Sequence, residues 1–186
     1  MRKSVVYYAD PTAADQGAAG TRTIKGLMTA IGSTKQATIV LAHTSSSTNT
    51  TYTVSTDLTV SSNITVKVDR GALVEVATGK TLTMSGSFDA GMYQVFDCVG
   101  TGSVAGLKES DPRWFGGKVD NITDDHAAWQ AAFNATATNG AVIRVPIGTS
   151  YVASPIVWPK EGAVTRDIKV KGQDAGLASG NVATVT

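Results

Sequence analysis

Hydrophobic and polar residues alternate in short runs along most of the chain, and the runs are separated by turn residues. Ala37-Thr38-Ile39-Val40-Leu41-Ala42 reads as a strand, Ser45 to Asn49 as a loop, and further β segments follow at Tyr52–Val54, Leu58–Val60, Ile64–Val68, Leu73–Val76 and Leu82–Met84. Ser61-Ser62-Asn63, Asp69-Arg70-Gly71, Thr78-Gly79-Lys80 and Ser85-Gly86 punctuate them. Phe88 to Asp97 and Val99 to Val104 supply the last strands of this half. Before it, Ile24, Leu27, Met28 and Ile31 recur at helical spacing until Gly32 stops them, although Gly26 weakens the helix. The polar, Ala/Gly-rich leader from Asp10 to Gly20 is expected to be extended or loosely ordered.

A second pattern change follows Trp114. Trp129, Ala132 and Phe133 give one apolar helical face, and Asn139-Gly140 supplies a left-handed stop. Thr123 or Asp124 can accept from the first-turn amides, and the carboxylates of Asp124 and Asp125 sit at the positive end of the helix dipole. After Gly140 the period becomes two, with Val142 and Arg144 facing one way and Ile143 and Val145 the other, until Pro146. The end of a stacked β-core is a sticky edge, and a short amphipathic helix across it is one remedy. The segment His126 to Phe133 is therefore expected to be a lid.

The two halves share an order of elements. Helix, Gly32, Ala37–Leu41, Tyr52–Val54, Leu58–Val60 and Ile64–Val68 match helix, Gly140, Ala141–Val145, Tyr151-Val152, Ile156-Val157 and Ile168–Gly172. Ile39 to Ile64 and Ile143 to Ile168 are each 25 residues, a spacing suited to one solenoid coil.

The second half resembles the opening motif of pectate-lyase-like right-handed β-helix proteins, a superfamily that includes bacteriophage tailspikes and many polysaccharide lyases, hydrolases and epimerases. The resemblance rests on Trp114-Phe115-Gly116, the Thr123-Asp124-Asp125 cap, the Ala128–Ala132 helix and the rung Val142-Ile143-Arg144-Val145-Pro146-Ile147-Gly148-Thr149, with Tyr151 beyond it. It departs where the usual Gly-Asp-Gly is Val119-Asp120-Asn121, so Asn121 must take a left-handed position. His126 and Trp129 replace the commoner Thr and Ile. The leading half resembles the segment that often precedes this motif in phage tail proteins, through Asp15-Gln16-Gly17 and Thr78-Gly79-Lys80-Thr81-Leu82-Thr83. The fold class implied is all-β, a right-handed parallel β-helix forming a single-stranded solenoid with short amphipathic capping helices. Its parts are a leader over 1–20, a first lidded block over 21–107, and the start of the main β-helix over 108–186, unfinished at Thr186. The chain reads as the amino-terminal part of a longer protein, or one whose open end is closed by partners.

Composition narrows the function. A balance of 17% charged and 42% hydrophobic residues is ordinary for a globular protein. The net charge of +1, without a basic stripe, argues against an obligate nucleic-acid binder. The single cysteine, Cys98, allows no internal disulfide and reads as a buried thiol, with neither His43 nor His126 forming a catalytic signature beside it. Val5-Val6-Tyr7-Tyr8 is too short for a signal-peptide core, and no run approaches membrane-spanning length. Synthesis in a cytoplasm is expected. Asn-x-Ser/Thr triplets at Asn49, Asn63, Asn121 and Asn134 are discounted as chance in a Thr-rich chain.

No residue is assigned a catalytic, cofactor-binding or metal-binding role. Asp124 and Asp125 are helix neighbours roughly 100° apart, whereas glycosidase chemistry needs two carboxyls facing across one bond. Capping explains their place. His126 lacks a second ligand at metal spacing and reads as a solvated first-turn side chain. Gly100 to Gly106 is one residue too long for a dinucleotide loop and reads as a turn. Trp114, Trp129, Trp158 and Tyr151 are sugar-stacking candidates for which packing is the favoured reading. Asp167 and Asp174 lie near the rungs but form no identifiable pair, and the family's catalytic residues usually lie on later coils. The resemblance therefore implies a phage tailspike or tail-fibre protein, structural and receptor-binding, whose amino-terminal coils mount a glycan-recognising β-helix. The alternatives are the amino-terminal part of a polysaccharide depolymerase, or a bacterial surface β-helix protein. Implied partners are two further copies in a homotrimer, other tail or baseplate proteins, and a host surface polysaccharide through later coils, with no cofactor, nucleic acid or membrane. The implied location is the virion tail, or alternatively the extracellular or cell-surface space.

Overall fold

The structure is a computed structural model that describes residues 5–11, 21–45, 48–136, 139–161, 164–165 and 167–172. The leader from Thr12 to Gly20, the turn read over Gln173 to Gly176 and the strand read over Asn181 to Thr186 lie outside the described residues.

The first stack begins with β1 (Val5–Tyr8) and helix α1 (Ile24–Ile31). It then takes three strands per coil: β2 (Ala37–Leu41), β3 (Thr50–Val54) and β4 (Leu58–Val60), then β5 (Ile64–Val68), β6 (Ala72–Val76) and β7 (Thr81–Met84), then β8 (Ser87–Ala90), β9 (Phe96–Cys98) and β10 (Ser103–Ala105). Equivalent strands pair in parallel, giving sheets ordered β1-β2-β5-β8, β3-β6-β9 and β4-β7-β10. This is the all-β parallel β-helix. Its interior is made by the alternation itself: Ile39, Leu41, Tyr52, Val54, Val60, Val66, Val68, Val74 and Val76 are buried, and the residues alternating with them are more exposed, except Val40, which is also buried. Tyr52 is fully buried, and its hydroxyl donates to the Ala42 carbonyl at 2.9 Å.

Register corrects the sequence reading in one respect. Ile39 pairs with Val66, and Ile143 with Val170, so these two coils each measure 27 residues rather than 25. The two compared coils do match in length, while the next coil of the first stack is shorter, Val66 pairing with Phe88 22 residues on. A shift of two residues keeps every side chain on its own face, so alternation alone fits either spacing.

Helix α1 closes the bottom of the first core with Ile24, Leu27 and Ile31. Thr23 caps it by accepting from the Gly26 amide at 3.1 Å, and Gly32, at φ +73°, ends it. Strand β1 was not read from the sequence. It pairs with β2 in the same coil as α1, and its run of four apolar residues carries no alternation to mark it.

The second stack starts with β11 (Glu109–Ser110), a 3-10 turn over Pro112–Phe115, β12 (Asp120–Asp124) and helix α2 (His126–Asn134). It continues with β13 (Asn139–Val145), β14 (Thr149–Tyr151), the short antiparallel pair β15 (Lys160–Glu161) and β16 (Val164–Thr165), and β17 (Asp167–Gly172). Its sheets are β11-β13-β17 and β12-β14. Helix α2 is a layer between two cores: Ala135, just past its end, belongs to the first, while Phe133 packs with Ile143 and Ile168 in the second. The strand read at Ile156-Val157 is absent. There the chain binds α2 instead, with the Val157 amide donating to Gln130 Oε1 and the Val157 carbonyl accepting from Gln130 Nε2, at 2.7 and 2.9 Å.

Candidate functional site

The loop before α2 is held by three aspartates. Asn121 has φ +60°, the left-handed conformation read from the sequence, and Val119 has φ +55°, which was not foreseen. These are the two positions at which the resembled motif carries glycine. Asp125 is only 2% exposed; its Oδ1 accepts from the Lys118 amide at 2.7 Å and its Oδ2 from the Val119 amide at 2.9 Å. Asp125 therefore acts as a latch on the loop rather than as a side-chain cap of the helix, at which it makes no such bond. Asp124 has the capping role: Oδ1 accepts from the His126 amide and the Ala153 amide, both at 3.0 Å. Asp120 accepts from the Thr123 and Ile122 amides and the Thr123 hydroxyl at 2.7, 2.9 and 2.8 Å. The Thr123 amide, then the Ile122 amide, lowers the Asp120 pKa, and the Ala153 amide, then the His126 amide, lowers that of Asp124.

This pinned loop holds Ile122 in solvent at 83% exposure. Beside it, β12 pairs with β14 through Asp120–Thr149 and Asp124–Tyr151, with a bulge between. Ile147 and Tyr151 are also exposed, at 73% and 49%. Gly148 has φ +126°, and a Cβ there would lie 2.8 Å from Val119 Cγ1, so the turn and the loop are in close contact.

A second feature is the break between stacks. Strands β8 and β11 belong to different sheets. A cleft of about 130 Å³ lies between them, lined by Phe88, Asp89, Glu109, Asp111, Trp114 and Arg144 among others. Glu109 also lines two neighbouring clefts of about 170 and 120 Å³, one reaching Lys108 and the other Lys171. Asp111 is buried and takes the Arg113 guanidinium at 2.9 and 2.5 Å, while Glu109 takes the Arg144 guanidinium through both oxygens. The Glu109 hydrogen bond raises the Arg144 pKa above its ordinary value. With an arginine fork on both oxygens of each, Glu109 and Asp111 form a charged, hydrogen-bonding flank and not the acid and base of a hydrolase. The Glu109–Arg144 pair escaped sequence reading because β11, which carries Glu109, is only two residues long and has no periodicity.

The other candidates fall as follows. Trp114 is buried, donates from Nε1 to the Gly91 carbonyl at 2.8 Å, and meets Phe88 edge-on at 5.1 Å. Trp158 meets Phe133 edge-on at 5.0 Å, and Trp129 lies tilted against the same ring at 6.4 Å. Packing accounts for the tryptophans, and Tyr151 alone of the four is an exposed platform. His126 bonds through Nε2 with the Pro155 carbonyl at 3.2 Å, so it is not simply solvated. Gly100 and Gly106, both at positive φ, bracket a turn and strand β10. Burial pushes the Cys98 thiol up to about 11. Asn63 is buried, its amide donating to the Gly32 and Lys35 carbonyls. The Asp167 side chain and all of Asp174 lie outside what is described. Among the described residues, no group of three or more His, Cys, Asp or Glu side chains is placed to hold a metal ion. No described helix is long and apolar enough to cross a membrane.

No protein-family model, curated protein or solved structure matches the chain significantly.

Proposed function

We propose that this chain is a mounting segment of a phage tailspike or tail fibre, its coils forming the amino-terminal part of a pectate-lyase-like β-helix that presents a glycan-recognising surface. The observation that carries the reading is the conformation of the opening motif. Val119 and Asn121 adopt left-handed backbone where the family has glycines, Asp125 latches the loop, and α2 then delivers the chain into the rung β13. A chain that keeps this geometry without the glycines is retaining a local shape that side-chain sterics oppose. The shape serves to start a stack of rungs.

In this reading the span is structural and the protein works as a trimer in the virion tail, contacting other tail or baseplate proteins. The glycan is a host surface polysaccharide bound through further coils. The flank between β8 and β11, with its paired arginines and carboxylates, is suited to hydrogen-bonding a polar chain rather than cleaving it.

The test is a binding assay of the encoded protein against a panel of bacterial capsular and lipopolysaccharide glycans. Retention on one of them supports the reading, and retention on none contradicts it. Release of reducing ends or unsaturated sugars by the same protein marks a depolymerase instead.

A further inference from the structure

The parallel ladder that runs through β1, β2, β5 and β8 stops at β8, and β11 starts another sheet above it. The direction of the backbone at this break follows from its neighbours. The Asp69 amide donates to the Leu41 carbonyl at 3.0 Å, so the odd-numbered backbone groups of β5 face β2. Backbone groups alternate in direction along a strand, so Val66 and Val68 face β8. Through the register of Val66 with Phe88, Ser87 and Asp89 face back to β5, while Phe88 and Ala90 direct their N–H and C=O groups into the cleft. From above, the Val142 amide donates to the Lys108 carbonyl at 3.0 Å, and the same alternation turns the Glu109 N–H and C=O groups down towards β8. The clefts of about 130 and 170 Å³ share Phe88 and Glu109 and together follow β8 from Gly86 to Met92.

We infer that this groove takes an extended segment of a partner polypeptide, which pairs with the free edge of β8 as an added parallel strand and carries a basic side chain outward between Asp89 and Glu109. Three observations carry this. First, the upper edge of β8 ends its ladder, and an unpaired strand edge is a template for another strand, with main-chain hydrogen bonds supplying the affinity. The evenly spaced donors and acceptors of a parallel edge match a polypeptide, whereas a sugar chain has no such repeat. Second, β8 presents the alternation that a neighbouring strand needs, with Phe88 and Ala90 half-buried and Asp89 exposed between them. Third, the outward charges call for a cation. On the coil below, Asp89 is the register partner of Lys67, and across the cleft it meets a second carboxylate, Glu109, whose Arg144 partner lies on the next coil up. A residue inserted between two carboxylates is favoured when it is basic. The chain's own β5, Ile64-Thr65-Val66-Lys67-Val68, has this pattern: Val66 and Val68 point inward and Lys67 lies beside Asp89.

The inference rests on the mounting role proposed above for the existence of a partner, and its failure can be told from a failure of glycan binding. The probe is a fluorescein-labelled peptide of the β5 sequence, Ile64 to Val68, titrated with the full chain and followed by fluorescence anisotropy. Saturable binding is expected with Kd below about 100 μM. If the peptide repeats the β5 register one coil higher, its Thr65 and Lys67 amides face β8, so N-methylating those two should weaken binding at least ten-fold. Asp89→Lys, at an exposed position whose circular dichroism melt should stay that of the parent, should weaken binding of this peptide and strengthen binding of the Lys67→Glu peptide. No saturable binding below about 1 mM overturns the inference. Undiminished binding of the N-methylated peptide overturns it too, as does an Asp89→Lys chain that binds both peptides as the parent does. If no peptide binds while Asp89→Lys abolishes retention on a glycan, the groove is a sugar site: the inference falls and the proposed function stands.

Discussion

Both oxygens of the buried Asp125 carboxylate hold the backbone of the loop in which Val119 sits at φ +55°. A β-branched residue resists this conformation, and the hydrogen bonds from the Lys118 and Val119 amides fix it in place. The side chains on either side confirm the constraint, since Val119 also fills the space that a Cβ at Gly148 would need.

Removing the latch tests it. Asp125→Ala leaves two amides without their acceptor and lowers stability by about 3 kcal/mol in urea denaturation. Asp125→Asn keeps one acceptor oxygen and loses roughly half as much.

Relieving the strain moves stability the other way. A left-handed L-residue costs roughly 1–2 kcal/mol, and glycine returns about 0.4–1 kcal/mol of that through its freer unfolded state. Val119→Gly is therefore expected to raise stability by about 0.5–1 kcal/mol, readable as a higher melting temperature. A loss instead would show that the Val119 contact with Gly148 outweighs the backbone strain.

Acid should act on the same loop. Asp120 and Asp124 have folded pKa values below their unfolded ones, so their contribution is present above the unfolded value near about 4 and is lost as pH falls through the folded values. Melting temperature is expected to drop below about pH 4 in the parent and to drop less steeply in Asp120→Asn and Asp124→Asn. Identical slopes in all three would remove these carboxylates from the account.

Alkali acts on the first core. Burial raises the Cys98 thiol from its ordinary 9.0 to about 11, so the unfolded chain loses this proton first and stability falls between those values. Cys98→Ala should flatten that part of the alkaline profile. At pH 8 a thiol reagent should modify folded Cys98 far more slowly than the chain in denaturant.

Much of this fold is legible in the residues because alternation and turn chemistry agree. Leu58 and Val60, Ile64, Val66 and Val68, and Leu82 and Met84 each mark a buried face, and Gly71, Gly79 and Gly86 fall at the turns between them. The left-handed Asn121 was also legible, from a resemblance that placed a glycine there. Other features depend on tertiary context. The 27-residue register of Ile39 with Val66 differs from 25 by one full strand period, so nothing in the pattern distinguishes them. Helix α2 has an apolar face, but its sequence does not say that Ala135 meets one core and Phe133 another. The latch was hidden for a similar reason: two adjacent aspartates before a helix look alike until the loop at Lys118 and Val119 turns back onto one of them.

The account depends most on equivalent strands lying parallel, one coil above the next. Lys67 and Asp89 are exposed register partners on β5 and β8, while Ser87 sits two residues off that register. Adjacent strands are about 4.8 Å apart, within the range for a disulfide, and a two-residue offset moves the Cα atoms to roughly 8 Å, beyond it. In a Cys98→Ala background, mild oxidation should therefore cross-link Lys67→Cys with Asp89→Cys and leave Lys67→Cys with Ser87→Cys as free thiols. The reverse result, or no cross-link in either pair, would contradict a parallel solenoid.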